Sequence, residues 1–222
     1  MISIAWYLNL EESTSTYPNN REIIYKKKGL RTMSSNNNNN LKNIYLIRHC
    51  KAEGQPAEAK LTDLGAKQAK ELMEFLRLYD IQYIASSPYV RAVDTITPLS
   101  QQLNLSINID ERLKEKVLTS KDVEDFTPLL KAAFKDMDLK YEGGESSREA
   151  TSRAIEALKD LIKREESNIA VVTHGELFSL IIKYFQDSFG YEGWLSLTNP
   201  DVFVLSFKDS EMNKVEINRI WK

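Results

Sequence analysis

One stretch decides the fold class of this chain: IYLIRHC, at residues 44–50. Its four apolar residues, Ile44 to Ile47, are too few for a helix and are rich in β-forming types, so they predict a short buried strand. Arg48 and His49 follow at the carboxyl end of that strand. Ligands of open α/β sheets bind where the strands end, so the pair marks a candidate site.

The chain contains two histidines, and each follows a predicted buried strand. His174 comes after the run IAVVT at residues 169–173, as His49 comes after its own strand. A lone histidine is usually structural, but two in matching positions favour one shared site. We therefore expect both imidazoles to face a single crevice.

Composition narrows the class of protein. A hydrophobic content of 42% can build a sizeable core, and 30 Lys/Arg against 32 Asp/Glu give no strong charge to attract nucleic acid or a membrane. Cys50 is the single cysteine, which excludes an internal disulfide and, with only two histidines, argues against a zinc-finger-like site. These features favour a soluble protein of a reducing compartment, the cytoplasm.

Residues 1–42 differ in composition from the rest. Their apolar start lacks a basic leader and soon reaches two glutamates, so it predicts neither a signal peptide nor a membrane span. The tract Asn36–Asn40 is of low complexity and cannot build a core. We interpret residues 1–42 as a disordered extension, with Met33 as an alternative start, and residues 43–222 as one folded domain.

Beyond the first strand, strand and helix patterns alternate. Further strands are predicted at residues 83–86, 106–109, 169–173, 202–207 and 215–220, and helices at residues 62–79, 87–97, 121–137, 147–165 and 176–186. This alternation predicts an α/β three-layer sandwich in which helices flank a mainly parallel central sheet. The last two strands are expected to be antiparallel.

Local signals refine these elements. Ser87 suits an N-cap and Pro88 the first position of a helix, and we expect this helix to kink or end near Thr97 because Pro98 follows. The helical pattern at residues 121–137 is interrupted by a second proline and reads as an insertion that could cap a pocket.

One later helix start has a specific sequence signature. Ser146 and Glu149 have the spacing of a capping box, in which each residue satisfies a backbone N–H of the other. That local role explains both residues without any chemistry.

Five motifs, in order, resemble the histidine phosphatase superfamily, which includes cofactor-dependent phosphoglycerate mutases, fructose-2,6-bisphosphatases and broad-specificity phosphatases. The motifs are Arg48-His49, Ser87-Pro88-Tyr89-Val90-Arg91-Ala92, Leu113-Lys114-Glu115, Gly144-Glu145-Ser146 and Thr173-His174-Gly175. The resemblance extends over roughly residues 43–207 and points to the broad-specificity phosphatase branch. It implies a phosphoglycerate mutase-like fold with a catalytic domain at residues 43–222.

The resemblance also implies roles for individual residues. His49 would be the nucleophile that forms a phosphohistidine, and Glu115 would donate a proton to the leaving oxygen. Neither a metal nor a cofactor would be needed. Phosphate and substrate would be bound by Arg48, Arg91, His174, Gly175 and Gln55, of which the two arginines and His174 would also stabilise the transition state.

The loop after the nucleophile departs from the family pattern. Where the family has glycine, an acid and a hydroxyl residue, this chain has Cys50, Lys51 and Ala52. Glycine permits unusual dihedral angles, so Cys50 is expected to alter the loop. Gln55 replaces a frequent phosphate-contacting asparagine and has a longer reach.

Three activities remain open from the sequence: a phosphatase acting on small phosphorylated metabolites, a phosphoglycerate mutase, and an inactive phospho-ligand binder. Mutases of this superfamily tend to have a longer insertion than residues 116–142 and a closing tail, whereas Trp221 and Lys222 follow the last predicted strand directly. These features favour the phosphatase. The presence of all five of Arg48, His49, Arg91, Glu115 and His174 argues against an inactive binder.

Overall fold

A computed structural model describes residues 41–221. The predicted disordered extension lies outside the described residues apart from its last two positions, and so does the alternative start at Met33. Within residues 41–221, no helix is long and apolar enough to cross a membrane.

Six strands form one sheet in the order β3-β2-β4-β1-β5-β6. The strands are β1 Lys42–Arg48, β2 Tyr83–Ser86, β3 Ile107–Ile109, β4 Asn168–Thr173, β5 Asp201–Phe207 and β6 Val215–Arg219. The helices are α1 Asp63–Leu76, α2 Val90–Leu103, α3 Thr127–Lys135, α4 Ser147–Ile162, α5 Gly175–Phe185 and α6 Tyr191–Leu195, with a short 3-10 helix at Glu111–Leu113. The pairs β1–β4, β4–β2 and β2–β3 are parallel. Strand β5 runs antiparallel to both β1 and β6.

Alternate residues of β1 pack into two separate apolar cores. Ile44 and Leu46 belong to the core that contains the buried residues of α4 and α5, and Tyr45 and Ile47 to the core that contains those of α1 and α2. Successive side chains of a strand point to opposite faces of the sheet, so helices cover both faces. The predicted α/β sandwich with a mainly parallel central sheet is confirmed, as is the antiparallel pairing of the last two strands.

The start of α2 differs from the prediction. The helix begins at Val90 with Tyr89 as its N-cap residue, whereas Ser87 and Pro88 were expected to begin it. The Ser87 hydroxyl is engaged elsewhere, because it lies 2.7 Å from a ring nitrogen of His174. Ser87 thus lies before the helix, where its hydroxyl contacts both His174 and the N–H of Tyr89.

Pro98 does not end α2, which continues to Leu103. Proline removes one backbone hydrogen bond and crowds the preceding turn, at a cost of about 3 kcal/mol. Ile96 and Leu99, on either side of it, are buried in the core, and α2 packs along α1. Burial of this face offsets the local cost, so the predicted end near Thr97 is wrong.

Other differences concern short elements. Only Thr127–Lys135 of the predicted helix at residues 121–137 is helical, because its proline starts the helix rather than interrupting it. The sequence prediction also missed α6, a helix of one and a half turns that follows α5.

The capping box at α4 is confirmed and carries a stability prediction. The Ser146 hydroxyl accepts from the Glu149 N–H at 3.1 Å, and the Glu149 carboxylate accepts from the Ser146 N–H at 2.8 Å. We expect Ser146→Ala to lower the free energy of unfolding by about 1 kcal/mol, since an N-terminal amide loses its partner. Urea denaturation measures the loss, and the exposed Ser210→Ala serves as the control that should leave stability unchanged.

Candidate active site

The two histidines meet at one edge of the sheet. β1 and β4 are parallel neighbours with Arg48 opposite Thr173, so the residues that follow leave the sheet side by side. The ring centroids of His49 and His174 are 5.2 Å apart. The two imidazoles therefore lie next to each other, as their matching positions after two strands predict.

The two ring nitrogens of His49 have different roles, one as donor and one as acceptor. Its Nδ1 lies 2.7 Å from the carbonyl oxygen of Cys50, which can only accept, so Nδ1 carries the proton. Nε2 then holds a lone pair, and the Arg91 Nε–H donates to it at 3.3 Å. Burial, together with the charges of Arg91 and Arg48, lowers the pKa of His49 to about 3 in spite of the Cys50 hydrogen bond. The imidazole is therefore neutral at physiological pH.

Arg91 is held rigidly in the first turn of α2. Its guanidinium is among the largest fully buried groups, and Nη1 donates to the carbonyls of Gln55 at 3.0 Å and Pro56 at 2.8 Å. It also lies over the ring of Tyr89, 4.8 Å from the centroid. Gln55 thus contributes its backbone to the site, while its exposed side chain has no hydrogen bond within residues 41–221.

Arg48 lies against Gly175 at the start of α5. A Cβ at Gly175 would approach the Arg48 guanidinium to 3.1 Å, which is closer than ordinary contact, so the missing side chain makes room for the cation. Arg48 Nη1 makes only long hydrogen bonds of 3.4 Å to the carbonyls of Leu197 and Thr198. Its Nε–H is buried without a partner.

His174 is fully buried and directed by Ser87. Its Nε2 lies 2.7 Å from the Ser87 hydroxyl, which already accepts from the Tyr89 N–H at 3.3 Å. We assign the hydroxyl proton to His174 Nε2, which leaves the ring proton on Nδ1. Burial lowers the pKa of His174 well below its usual value, and the nearby His49 and the three arginines Arg91, Arg153 and Arg48 act in the same direction, so this ring is neutral too.

Glu115 is anchored on the N-terminus of α5. One carboxylate oxygen accepts from the N–H groups of Lys116 and Leu177, both at 2.9 Å, and the other from Glu176 N–H at 3.0 Å. Burial lowers the pKa of Arg48 and of Arg91, and the Glu115 carboxylate opposes that shift in both. The acid and the two guanidiniums therefore interact electrostatically across one site.

Arg153 fixes the backbone that carries Glu115. It donates from Nη1 to the carbonyls of Arg112 at 2.6 Å and Lys114 at 2.9 Å, and it forms an ion pair with Glu145 at 2.5 Å. Glu145, its ion-pair partner, belongs to one of the five motifs. Arg153 itself, eight residues later, belongs to none of them. Sequence reasoning therefore missed it.

The loop at Cys50 is held by side chains from other elements. Cys50 N–H donates to the Thr95 hydroxyl at 2.9 Å, and Lys51 N–H donates to the Gln68 amide oxygen at 3.0 Å. The Asn199 amide donates to the His49 carbonyl at 2.7 Å, and Gln68 donates back to the Asn199 carbonyl at 2.6 Å. Sequence reasoning missed Asn199, whose only signal is its place just before a strand.

Cys50 does not need the backbone freedom of glycine. The non-glycine residues with positive φ in the described part of the chain are Asp80, Asn104 and Met212, so Cys50 has an ordinary backbone conformation. Its side chain is buried, and burial raises the pKa of the thiol to about 12. The expectation that Cys50 alters the loop is not supported by this conformation.

Two unpartnered donors define what the site can bind. Within residues 41–221, the buried side-chain nitrogen and oxygen atoms without a hydrogen-bond partner are Arg48 Nε and His174 Nδ1. Both belong to the cluster around His49, and both carry a proton to donate. Unpartnered donors of this kind, in a cluster that contains the guanidiniums of Arg48 and Arg91, favour an anion with several acceptor oxygens. No group of three or more His, Cys, Asp or Glu in residues 41–221 is placed to hold a metal ion.

Comparison with known proteins decides the family. The model of the histidine phosphatase superfamily (branch 1) matches residues 44–220. The chain belongs to the histidine phosphatase superfamily. The resemblance of the five motifs is thereby confirmed.

Relatives within this superfamily differ in activity. A provisionally named phosphoserine phosphatase 2 of Hydrogenobacter thermophilus is 30% identical over 159 residues, 64% of this chain and 77% of that protein. The glucosyl-3-phosphoglycerate phosphatase of Mycolicibacterium vanbaalenii is 26% identical, with 64% of this chain and 72% of that protein covered. A 2,3-bisphosphoglycerate-dependent phosphoglycerate mutase of Thermoplasma acidophilum is 30% identical, with 72% and 76% covered.

Solved structures of the superfamily share the fold. A mycobacterial glucosyl-3-phosphoglycerate phosphatase aligns with a TM-score of 0.67 at 22% identity, covering 82% of this chain and 98% of the other. A phosphoserine phosphatase from Entamoeba histolytica, in complex with 3-phosphoglyceric acid, aligns with a TM-score of 0.68 at 20% identity, covering 82% and 97%. The phosphoglycerate mutase-like fold is confirmed.

Gly175 provides a test of how Arg48 is placed. We expect Gly175→Ala to weaken inorganic phosphate binding about tenfold, because the new methyl group displaces a guanidinium that contributes charge-assisted hydrogen bonds. Isothermal titration calorimetry with phosphate measures the change. Gly190→Ala is the matched control, since a Cβ there meets no atom within 4 Å. Unchanged phosphate affinity in Gly175→Ala would show that Arg48 does not bind the anion.

The lowered pKa of His49 predicts acid sensitivity. The unfolded chain takes up a proton at His49 near pH 6.5, whereas the folded chain does so only near pH 3, so stability falls as pH drops below 6.5. His49 alone should cost about 2 kcal/mol between pH 7 and pH 5. Urea denaturation of wild type and His49→Gln at both pH values measures this. The wild type should lose more stability than the variant, and parallel losses would contradict the neutral assignment.

Proposed function

We propose that this chain hydrolyses phosphomonoesters of small metabolites through a phosphohistidine on His49. The observation that carries the proposal is the pair of unpartnered buried donors, Arg48 Nε and His174 Nδ1, beside a neutral nucleophilic nitrogen. A phosphoryl group has the charge and the oxygens to satisfy them. The phosphatases among the relatives support the same activity.

In the first step, the His49 Nε2 lone pair attacks phosphorus. A P–N bond forms as the bond from phosphorus to the leaving oxygen breaks, and protonated Glu115 supplies the proton that the leaving oxygen needs. The hydrogen bond from Nδ1 to the Cys50 carbonyl keeps the ring in the reactive tautomer and stabilises the positive charge that develops on it. Arg48, Arg91 and His174 donate to the non-bridging oxygens.

In the second step, water replaces His49 on phosphorus. The Glu115 carboxylate takes a proton from the water, the resulting oxygen attacks phosphorus and the P–N bond breaks, which restores neutral His49 and releases phosphate. Three backbone N–H groups hold the Glu115 carboxyl group in place for both steps. The proton taken from water leaves Glu115 protonated, ready for the next leaving oxygen.

The proposal also covers the metal requirement, the cellular location and the partners of the protein. The two guanidiniums of Arg48 and Arg91 offset the charge of a phosphoryl group, and neutral His174 donates a hydrogen bond to it, so we propose catalysis without a metal ion or cofactor. A cytoplasmic location is proposed on the single, buried cysteine. Neither nucleic acid nor a membrane is proposed as a partner, because the overall charge is close to balanced.

A second candidate is a phosphoglycerate mutase, favoured by the 30% identity to the Thermoplasma acidophilum enzyme. A mutase must keep water from the phosphohistidine and return the phosphoryl group to its substrate. In the segment between Glu115 and α4, α3 is the single α-helix. This short insertion supports the phosphatase.

A paired assay on the purified protein separates these activities. Without added metal, phosphate release from a panel of phosphomonoesters is followed beside conversion of 3-phosphoglycerate to 2-phosphoglycerate in the presence of 2,3-bisphosphoglycerate. We expect release to outpace isomerisation and His49→Ala to abolish it, since the variant lacks the nitrogen that forms the P–N bond. Lys67→Ala, an exposed change on α1, is the control that should retain full activity.

The other outcomes of this assay identify the alternatives. Isomerisation that outpaces phosphate release would make the protein a mutase. Phosphate binding with neither reaction would favour an inactive phospho-ligand binder. Release that persists in His49→Ala would reject His49 as the nucleophile.

A further inference from the structure

A buried ion pair lies beside the proposed proton donor. The Lys116 ammonium donates to the Glu176 carboxylate at 2.8 Å, with the Lys116 side chain fully buried and that of Glu176 9% exposed. Within residues 41–221, no other ion pair has both side chains buried to this degree. None of the five family motifs includes Lys116 or Glu176.

The same two residues hold Glu115 through their backbones. The N–H groups of Lys116 and Glu176 are two of the three that donate to the Glu115 carboxylate. The side-chain pair and the carboxylate therefore connect the same two stretches of chain, which are 60 residues apart in sequence. Together they form one closed unit at the start of α5.

Stability alone does not account for this pair. Burial raises the pKa of Glu176 to about 7, and Glu115 adds to the shift, although Lys116 opposes it. The ion pair thus does not fully compensate the desolvation of its own carboxylate. Apolar side chains of similar volume often stabilise a fold as much as a buried ion pair, or more. Unlike a charged hydrogen bond, however, apolar contacts do not fix the relative orientation of the two segments that they join.

We propose that the Lys116–Glu176 ion pair is a positioning device for Glu115, an inference that rests on the phosphatase function proposed above. Lys116 follows Glu115 directly, so fixing the lysine on α5 fixes the backbone from which the acid extends. Arg153 already fixes the preceding residues through their carbonyls. The acid is thereby held from both sides along the chain.

The chemistry makes this role measurable. An alkyl leaving group departs as a poor alkoxide and depends on a proton delivered at hydrogen-bond distance. An aryl leaving group such as p-nitrophenolate departs without a proton. A displaced Glu115 therefore slows alkyl esters far more than aryl esters, whereas a general loss of structure slows both.

The experiment replaces the pair by apolar residues. The double variant Lys116→Met with Glu176→Leu removes both charges, so no uncompensated charge is left in the core. Its kcat is measured on p-nitrophenyl phosphate and on the alkyl phosphate that the wild type hydrolyses fastest. The control makes the same two substitutions at the exposed pair of Lys159 and Glu156.

We expect kcat on the alkyl ester to fall about tenfold or more and kcat on the aryl ester to stay within about threefold. In a Glu115→Gln background, the double variant should cause no further loss, because the pair acts through that carboxylate. Equal effects on both esters, or a further loss in that background, would overturn the proposal.

A measurement independent of turnover separates this inference from the proposed function. Amide hydrogen exchange at Glu176 and Leu177 reports their hydrogen bonds to Glu115. We expect exchange there to accelerate in the double variant and to stay slow in the control. Unchanged protection would overturn the positioning role, whereas failure of His49-dependent phosphate release would overturn only the catalytic consequence.

Discussion

The parallel pairing of β1 with β4 is the interaction on which the site depends. In its register Arg48 lies opposite Thr173, so the chain delivers an arginine and two histidines at one point of the sheet edge. A shift by one residue would turn Arg48 toward the opposite face and separate the rings. The cores on both faces oppose such a shift, because each alternate side chain of β1 is buried in its own cluster.

Burial then gives these side chains their chemical character. Desolvation keeps both imidazoles neutral and leaves two guanidiniums as the fixed positive charges of the site. A neutral ring can act as a nucleophile, and fixed cations in a dry site stabilise a phosphoryl anion more strongly than they would in water. The same desolvation thus supports both parts of the proposed mechanism, the neutral ring of His49 and the cationic surroundings, at the cost of stability in acid.

Much of this was predictable from the sequence, and the exceptions have physical causes. The strands and the residues that follow them could be predicted, because hydrophobic runs and strand ends are local signals. Arg153 and Asn199 could not, since they act by hydrogen bonds to backbone groups distant in sequence. The start of α2 was mispredicted because Ser87 serves His174, a tertiary contact that outweighs its capping tendency.

The loop after His49 shows why the family pattern can change without loss of the geometry. Its backbone polar groups are held by Thr95 of α2, Gln68 of α1 and Asn199 of the loop before β5, so the conformation does not depend on glycine. Directly after Glu115, Lys116 begins the insertion and pairs with Glu176 of α5. In the positioning role that we propose, a change in this ion pair acts on Glu115 and not on Arg48 or Arg91, so leaving-group preference would change while phosphate binding stays constant.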